Sequence, residues 1–316
     1  MQNPSESVPA VLSTTSGPES HSTVAVHPLR AVLLVMAAVF LFACMDTSTK
    51  VLTGSYPPPI VIAVRYSVQC LLMLAILAPS QGRRLVQTRR TGMVVLRSAC
   101  LALASVIMAI AFHRLPVAEA TAIVFLSPLL VVLISGTVLK ERVGGFGIVA
   151  AIAGFAGVLL IARPGAGLDP LGVACALAGA VLIASYQLMS RLLARTENTI
   201  PMLFYTAMIG SLIYGLMFPW FWEGRLPDAR QAVLFICTGV AGGLGHFLFT
   251  AAHRHAPASV LAPVMYVQLV WAGLLGWLVF GHVADPLSIV GMLVVAAAGA
   301  AVALRAHLPK AALLPE

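Results

Sequence analysis

Ten apolar stretches follow one another along this 316-residue chain, near 31–53, 58–79, 93–113, 117–138, 145–162, 171–192, 199–219, 230–251, 258–280 and 286–306. A helix rising about 1.5 Å per residue needs about 20 mainly apolar residues to cross the hydrocarbon of a bilayer, and most of these stretches meet that length. Gly and Pro punctuate them, and none alternates in the manner of an outer-membrane strand, so the expected class is all-α: an integral membrane protein of ten transmembrane helices. With 60% hydrophobic residues, 9% charged residues and a mean hydropathy of +0.97, the chain lies far from ordinary soluble domains.

The basic residues orient the bundle. With the N-terminus inside, Arg114, Arg163, Arg225 and Arg230 fall outside, Lys50, Arg65 and Arg97 fall within spans, and the remaining 12 of the 19 Lys and Arg fall on the cytoplasmic side. Short basic loops are retained in the cytoplasm, so both termini are expected there, in the cytoplasmic (inner) membrane. Topology and anionic lipid account for the formal charge of +8, and nucleic acid is not needed to explain it. Residues 1–28 are rich in Ser, Pro and Thr and hold no Lys or Arg; they read as a disordered cytoplasmic tail rather than a signal peptide, with a second short tail at 307–316. Cys44, Cys70, Cys100, Cys175 and Cys237 lie inside spans without metal-ligand spacing and read as packing residues, so neither a disulfide framework nor a metal or cofactor site is expected.

The chain also repeats itself. A shift of 140 residues lays Ala111-Phe112-His113-Arg114 over Ala251-Ala252-His253-Arg254, and Ala118, Ala122, Leu129 and Gly136 over Ala258, Ala262, Leu269 and Gly276. A shift of 141 pairs Lys50 with Arg191 and Asp46 with Gln187. Five helices is an odd number, so the second copy, 170–306, must enter the membrane from the side opposite to the first, 29–163. Inverted repeats of this kind can rock about a site between them, as alternating-access carriers do.

These residues resemble the drug/metabolite transporter (DMT) superfamily, and within it the ten-helix EamA-type transporters. The resemblance rests on Phe112-His113-Arg114-Leu115-Pro116, Glu119, Ala122, Ser127-Pro128, Leu139-Lys140-Glu141-Arg142-Val143 and Gly157-Val158 in the first half. In the second half it rests on Ala262-Pro263, Tyr266, Gln268, Trp271 and Phe280-Gly281, and it takes in Asp46, Lys50 and Arg65. His282 departs from it, because an acidic residue usually follows Phe-Gly there, which puts the end cap between helices nine and ten in question. The resemblance implies a cytoplasmic-membrane carrier with a central cavity and leaves its substrate open.

Charged groups inside a bilayer are costly and normally face protein, water or cargo. Asp46 and Lys50, four apart on helix one, are expected on one face within pairing reach. With Arg65 and Glu119 they form an outer-half cluster of two acids and two bases. That cluster reads either as a neutral network pinning helices one, two and four, or as substrate and proton contacts. Arg97, near the inner end of helix three, is expected to snorkel to the interface. The aligned positions of the second half are poorer in charge: Tyr186 and Gln187 stand over Met45 and Asp46, and Thr206 over Arg65. His246, after a run of glycines, reads as a core residue or as a substrate ligand or proton-handling group. Tyr266, Gln268 and Trp271 read as packing residues or as contacts for a planar, polar solute. Helices five and ten, rich in Gly and Ala, suit tight packing, with a homodimer through them left open.

The leading expectation is a secondary carrier working by alternating access on a small polar organic metabolite, an amino-acid derivative, a vitamin or a nucleoside-like solute. It would be exported or taken up, with membrane lipid around the carrier and proton coupling as an option. No Gly-Lys-Ser/Thr phosphate loop is present to suggest ATP. The alternative is a membrane-embedded transferase acting on a lipid-linked substrate. It would need paired carboxylates for a divalent ion, a His-Asp pair or a nucleophile elbow, and none of these is apparent in the sequence.

Overall fold

The computed structural model describes residues 28–138, 145–162, 167–193, 196–252, 255, 261 and 264–305. The expected tails, save Pro28, the Leu139–Val143 motif and His253-Arg254 lie outside these residues, as does the side chain of Arg191.

The first repeat contributes α1 (Pro28–Thr53), α2 (Pro58–Gln81), α3 (Thr91–Arg114), α4 (Val117–Val124), α5 (Ser127–Val138) and α6 (Gly145–Ala162). The second contributes α7 (Pro170–Leu193), α8 (Thr199–Phe221), α9 (Ala229–Ala252), α10 (Val267–Phe280) and α11 (Pro286–Arg305). Helix starts follow local chemistry. Pro58, Pro170 and Pro286 occupy first-turn positions where no amide is needed. Asp169 Oδ1 accepts from the Gly172 amide at 2.8 Å, and Asp285 Oδ1 accepts from Leu287 and Ser288 at 3.1 and 3.2 Å. The Gly172 amide, and after it Arg114 at 2.9 Å, holds the Asp169 carboxyl below its ordinary pKa. That cap is therefore complete at neutral pH and weakens only as the pH falls into the acid range.

Contacts between helices obey a two-fold exchange of the repeats. The first helix of each repeat packs on the third of the other, α1 on α9 and α7 on α3, while α2 packs on α8 and α6 on α11. The fold is thus the expected bundle of ten spans in two inverted repeats, with one correction to their continuity. The fourth span is interrupted at Phe125-Leu126, just before Pro128, whose missing amide cannot continue the helical ladder. The ninth is interrupted at Tyr266. A shift of 140 lays Leu126 on Tyr266, and the rings of Phe125 and Tyr266 meet with centroids 4.9 Å apart. The two interruptions are therefore symmetry mates in contact across the repeat boundary. Interrupted helices in corresponding halves are a recurrent carrier feature.

Leu52, Tyr56, Ile60 and Val61 pack with Phe235, which fixes the α1–α2 turn at one end of the bundle, the distal end. Ala31, Val35 and Val39 pack with Ala252 and Leu261 toward the other, the proximal end. Exposed apolar side chains such as Ile152, Phe155, Leu159 and Leu293 cover the outer faces of α6 and α11, as a lipid-facing surface requires. Trp220, 81% exposed near the distal end of α8, suits an interfacial anchor.

The glycines of α6 and α11 face each other within the chain. A Cβ on Gly157 would stand 2.8 Å from the Gly291 carbonyl oxygen, and one on Gly291 would stand 2.5 Å from that of Gly157. Small residues permit this backbone approach. Gly157→Ala is expected to destabilise the fold by about 1–3 kcal/mol through overpacking. Gly273→Ala, on α10 with nothing within 4 Å of the added carbon, should leave the melting temperature unchanged. Paired thermal melts in detergent measure both.

Candidate substrate site between the repeats

Asp46 on α1 and Arg65 on α2 are each 8% exposed. Asp46 Oδ2 accepts from Gln268 Nε2 at 3.2 Å. Arg65 Nη1 reaches Met45 Sδ at 3.9 Å, and its guanidinium carbon lies 4.9 Å from the centroid of its own neighbour's ring, Tyr66. The two opposite charges lie close enough to feel each other, yet they form no ion pair; among the described residues Arg114 pairs with Asp169, and His282 meets Glu119 through a hydrogen bond. His246 on α9 stands over Phe42 with centroids 4.9 Å apart, in electrostatic reach of both Arg65 and Arg97. The adjoining face of α9 is built of glycine. Gly242 approaches Met45, and Gly243 approaches Gln69.

Arg97 corrects two expectations. It does not snorkel: it is 4% exposed and inserted between α3, α7 and α8. Its Nε donates to Ser190 Oγ at 2.6 Å, Nη1 to the Met202 carbonyl and Thr206 Oγ1 at 3.2 and 3.1 Å, and Nη2 to Tyr186 Oη at 2.6 Å. The guanidinium carbon also lies 4.2 Å from the Tyr186 ring centroid. Nor is the second half's counterpart poor in charge. Laying the repeats over each other places Tyr186 on Met45, Ser190 on Thr49, Thr206 on Arg65, Cys237 on Arg97 and Thr238 on Ser98. Thr49 and Ser190 even make the same bond, each hydroxyl donating to the carbonyl four residues back, at 2.8 and 2.7 Å. Two polar rings face each other across the repeats, one where α1, α2 and α9 meet and one where α7, α8 and α3 meet. Each holds one arginine: Arg65 on the second helix in the first, Arg97 on the third helix of the opposite repeat in the second. The three-dimensional pairing of the repeats makes this exchange visible. Gln187 lies half-buried and makes no side-chain hydrogen bond among the described residues.

Lys50 turns away from Asp46. Its Nζ donates to the carbonyls of Phe112 and Leu115 at 2.8 and 2.6 Å and lies 5.4 Å from the Phe280 ring centroid. The open carbonyls at the end of α3, at the negative end of that helix's dipole, accept the ammonium group. Glu119, 2% exposed, meets His282 Nε2 at 2.8 Å through Oε1. The expected four-member cluster is therefore divided: Lys50 joins α1 to α3, Glu119 joins α4 to the end of α10, and Arg65 belongs to neither. Lys50 and His282 border a distal cavity of about 360 Å³, lined also by Arg114, Leu168 and Phe280. His282 leaves the cap of α10 intact, because Gly281 adopts a left-handed φ of 65° and its amide returns to the Trp277 carbonyl at 2.9 Å.

Tyr266 packs into the scaffold core with its hydroxyl against Gly299, and Trp271 meets Phe40 edge-on with centroids 4.9 Å apart. Neither the Tyr266 hydroxyl nor the Trp271 indole nitrogen has a partner among the described residues.

The ends of the bundle carry a pair of latches that sequence inspection missed. At the distal end Tyr56 Oη donates to Gln231 Oε1 at 2.9 Å. At the proximal end the Glu197 carboxylate accepts from the amides of Arg89 at 2.9 and 3.0 Å and of Arg90 at 2.6 Å, capping α3. Glu197 overlies Tyr56 in the repeat alignment, so both turns hold the opposite repeat's third helix. Charge makes the proximal latch the stronger one. Among the described residues no three His, Cys, Asp or Glu side chains gather as metal ligands would.

The profile of the EamA-like transporter family matches residues 29–163 and again 170–304. A riboflavin transporter of Vibrio cholerae serotype O1 is 28% identical, over 81% of this chain and 87% of its own length. The pseudopaline exporter CntI of Pseudomonas aeruginosa is 26% identical over 82% and 91%. An S-adenosylmethionine uptake transporter of Rickettsia bellii is 25% identical over 68% and 73%. A solved crystal structure, 21% identical, superposes with a TM-score of 0.62 over 88% of this chain and 99% of that one.

Proposed function

Because the chain belongs to the EamA-like transporter family, we propose that it is a secondary carrier, moving a small polar organic metabolite across the inner membrane by alternating access. The observation that carries this reading is the pair of arginine rings, one on each repeat boundary, with Asp46 beside Arg65 and His246 in reach of both arginines. Two sites related by an inverted repeat at matching depth are what a cargo needs if it is to be reached from each side in turn. The named relatives move riboflavin, pseudopaline and S-adenosylmethionine, by export and by uptake, which favours an organic solute and leaves the gradient to set direction. They also weigh against the lipid-linked transferase. The excess of Lys and Arg on one side supports cytoplasmic termini, and in that orientation the Glu197 latch faces the cytoplasm and the Tyr56 latch the outside. In this reading Asp46, Arg65, Gln268 and His246 face the cargo, Tyr186 and Gln187 serve it from the second repeat, Lys50 borders its distal approach, and Glu119 backs that approach through His282. Trp271 and Tyr266 shape the wall.

Purified protein in vesicles, loaded on one side with a bacterial metabolite extract and followed by mass spectrometry, tests the proposal. Wild type is expected to move a small set of solutes, faster when the same solute is present on the far side. Absence of any movement, or large ionic currents without exchange, contradicts it.

A further inference from the structure

Four arginines, Arg83, Arg84, Arg89 and Arg90, crowd the turn that joins α2 to α3 at the proximal end. All four residues are exposed, and none of their guanidinium groups has a hydrogen bond, ion pair or ring contact among the described residues. The turn itself is held firmly. Gly82, at a φ of 49°, carries the chain out of α2 into a single 3-10 turn, Gly82–Val86, whose Leu85 is buried. Tyr205 Oη on α8 donates to the Val86 carbonyl at 3.2 Å, and the Thr88 and Thr91 hydroxyls meet at 2.7 Å. Glu197 is the one acid at this end among the described residues, and its two oxygens are taken by the amides of Arg89 and Arg90. Asp169, Glu223, Asp228 and Asp285 stand at distal helix ends. A fixed platform therefore presents four like charges, which repel one another and have no protein anion to meet.

We infer that this turn binds the headgroup of an anionic phospholipid in the proximal leaflet, a site separate from the cargo path. A guanidinium takes a phosphate through two parallel hydrogen bonds, and basic segments beside a span are drawn to anionic lipid. The anion is a lipid because apolar surface adjoins the arginines: Val86 in the turn, Ile76 on α2 and Leu96 on α3 are 48%, 62% and 60% exposed. Acyl chains lie on that surface while the phosphate meets the guanidinium groups. The headgroup relieves the repulsion among the four and so holds the turn, and the amides that Glu197 caps, in place.

The test gives purified protein in neutral detergent one of three additions: phosphatidylglycerol, phosphatidylcholine with the same chains, or glycerol phosphate alone. Native mass spectrometry counts retained lipid, and thermal melts are recorded alongside. Wild type is expected to retain phosphatidylglycerol about tenfold more strongly than phosphatidylcholine, and to melt higher with phosphatidylglycerol but not with glycerol phosphate. Arg83→Gln, Arg84→Gln, Arg89→Gln and Arg90→Gln together should remove the preference. Glutamine keeps the backbone amides that Glu197 needs, so this variant should melt like wild type in phosphatidylcholine. Arg83→Gln with Arg84→Gln, away from Glu197, should lose part of the preference, and Arg230→Gln at the distal end should keep all of it. Equal retention of the two lipids by wild type, or a preference that survives in the fourfold variant, overturns the site. Equal stabilisation by glycerol phosphate assigns the turn to a free anion and overturns the lipid.

Discussion

Replacing Arg97 with alanine is expected to lower stability by about 3 kcal/mol and to remove most transport. The guanidinium joins Ser190 and Tyr186 on α7 to Met202 and Thr206 on α8, all from α3. Hydrogen bonds to a charged group contribute about 1.5–3 kcal/mol each, and the alanine variant leaves several of these partners without a donor and a void in their midst. The loss is less than the sum of the bonds because the cost of burying the cation disappears with it. Lysine should not rescue, since a single ammonium group cannot span acceptors on two helices or stack on Tyr186 in the same way. Tyr186→Phe, which removes one acceptor, should cost about 1–2 kcal/mol. Thermal melts of the purified variants measure the series. A normal melting temperature for Arg97→Ala would place this side chain at the membrane surface instead.

Asp46→Asn and Arg65→Gln are each expected to reduce flux at least 100-fold, equivalent to about 2.7 kcal/mol, with melting temperatures near wild type. Neither side chain has a strong protein partner to lose, so the effect falls on the cargo rather than on the fold. The double variant should be little worse than the worse single one, because both residues act on one bound molecule and their effects are not independent. Initial rates in vesicles give all three values. Additive losses, or a sharp fall in stability, would assign the pair to the scaffold.

The class and number of spans were legible because bilayer thickness dictates the length of every apolar run. The interruptions at Phe125-Leu126 and Tyr266 were not. The residues around them are as apolar as the rest of their spans, and hydropathy does not register a lost backbone bond. The polar site was legible in its residue types and largely hidden in its pairings. Asp46 and Lys50 share a helix face, yet the open carbonyls at the end of α3 take Lys50 and Gln268 meets Asp46. Spacing within one helix cannot foresee a partner from another. Arg97 was misread for a related reason: six residues from the start of α3, it lies near enough to the surface to snorkel, and only the approach of α7 and α8 gives it buried acceptors. A usable signal did exist. Thr206 overlies Arg65, and a missing arginine in one of two symmetric rings invites a search for its replacement on the neighbouring helix. Glu197 offered no such signal, because its function depends on the backbone amides of Arg89 and Arg90.

The most direct test of alternating access is to tie each end shut in turn. Cysteines at positions 56 and 231, or at 89 and 197, would be placed in a chain lacking its five native thiols and bridged by a short bifunctional reagent, with flux measured before and after. If the repeats rock about a central site, bridging either latch stops transport, and cleaving the bridge restores it. Flux that continues with both latches bridged would contradict the account, since a fixed path through the bundle would then be enough.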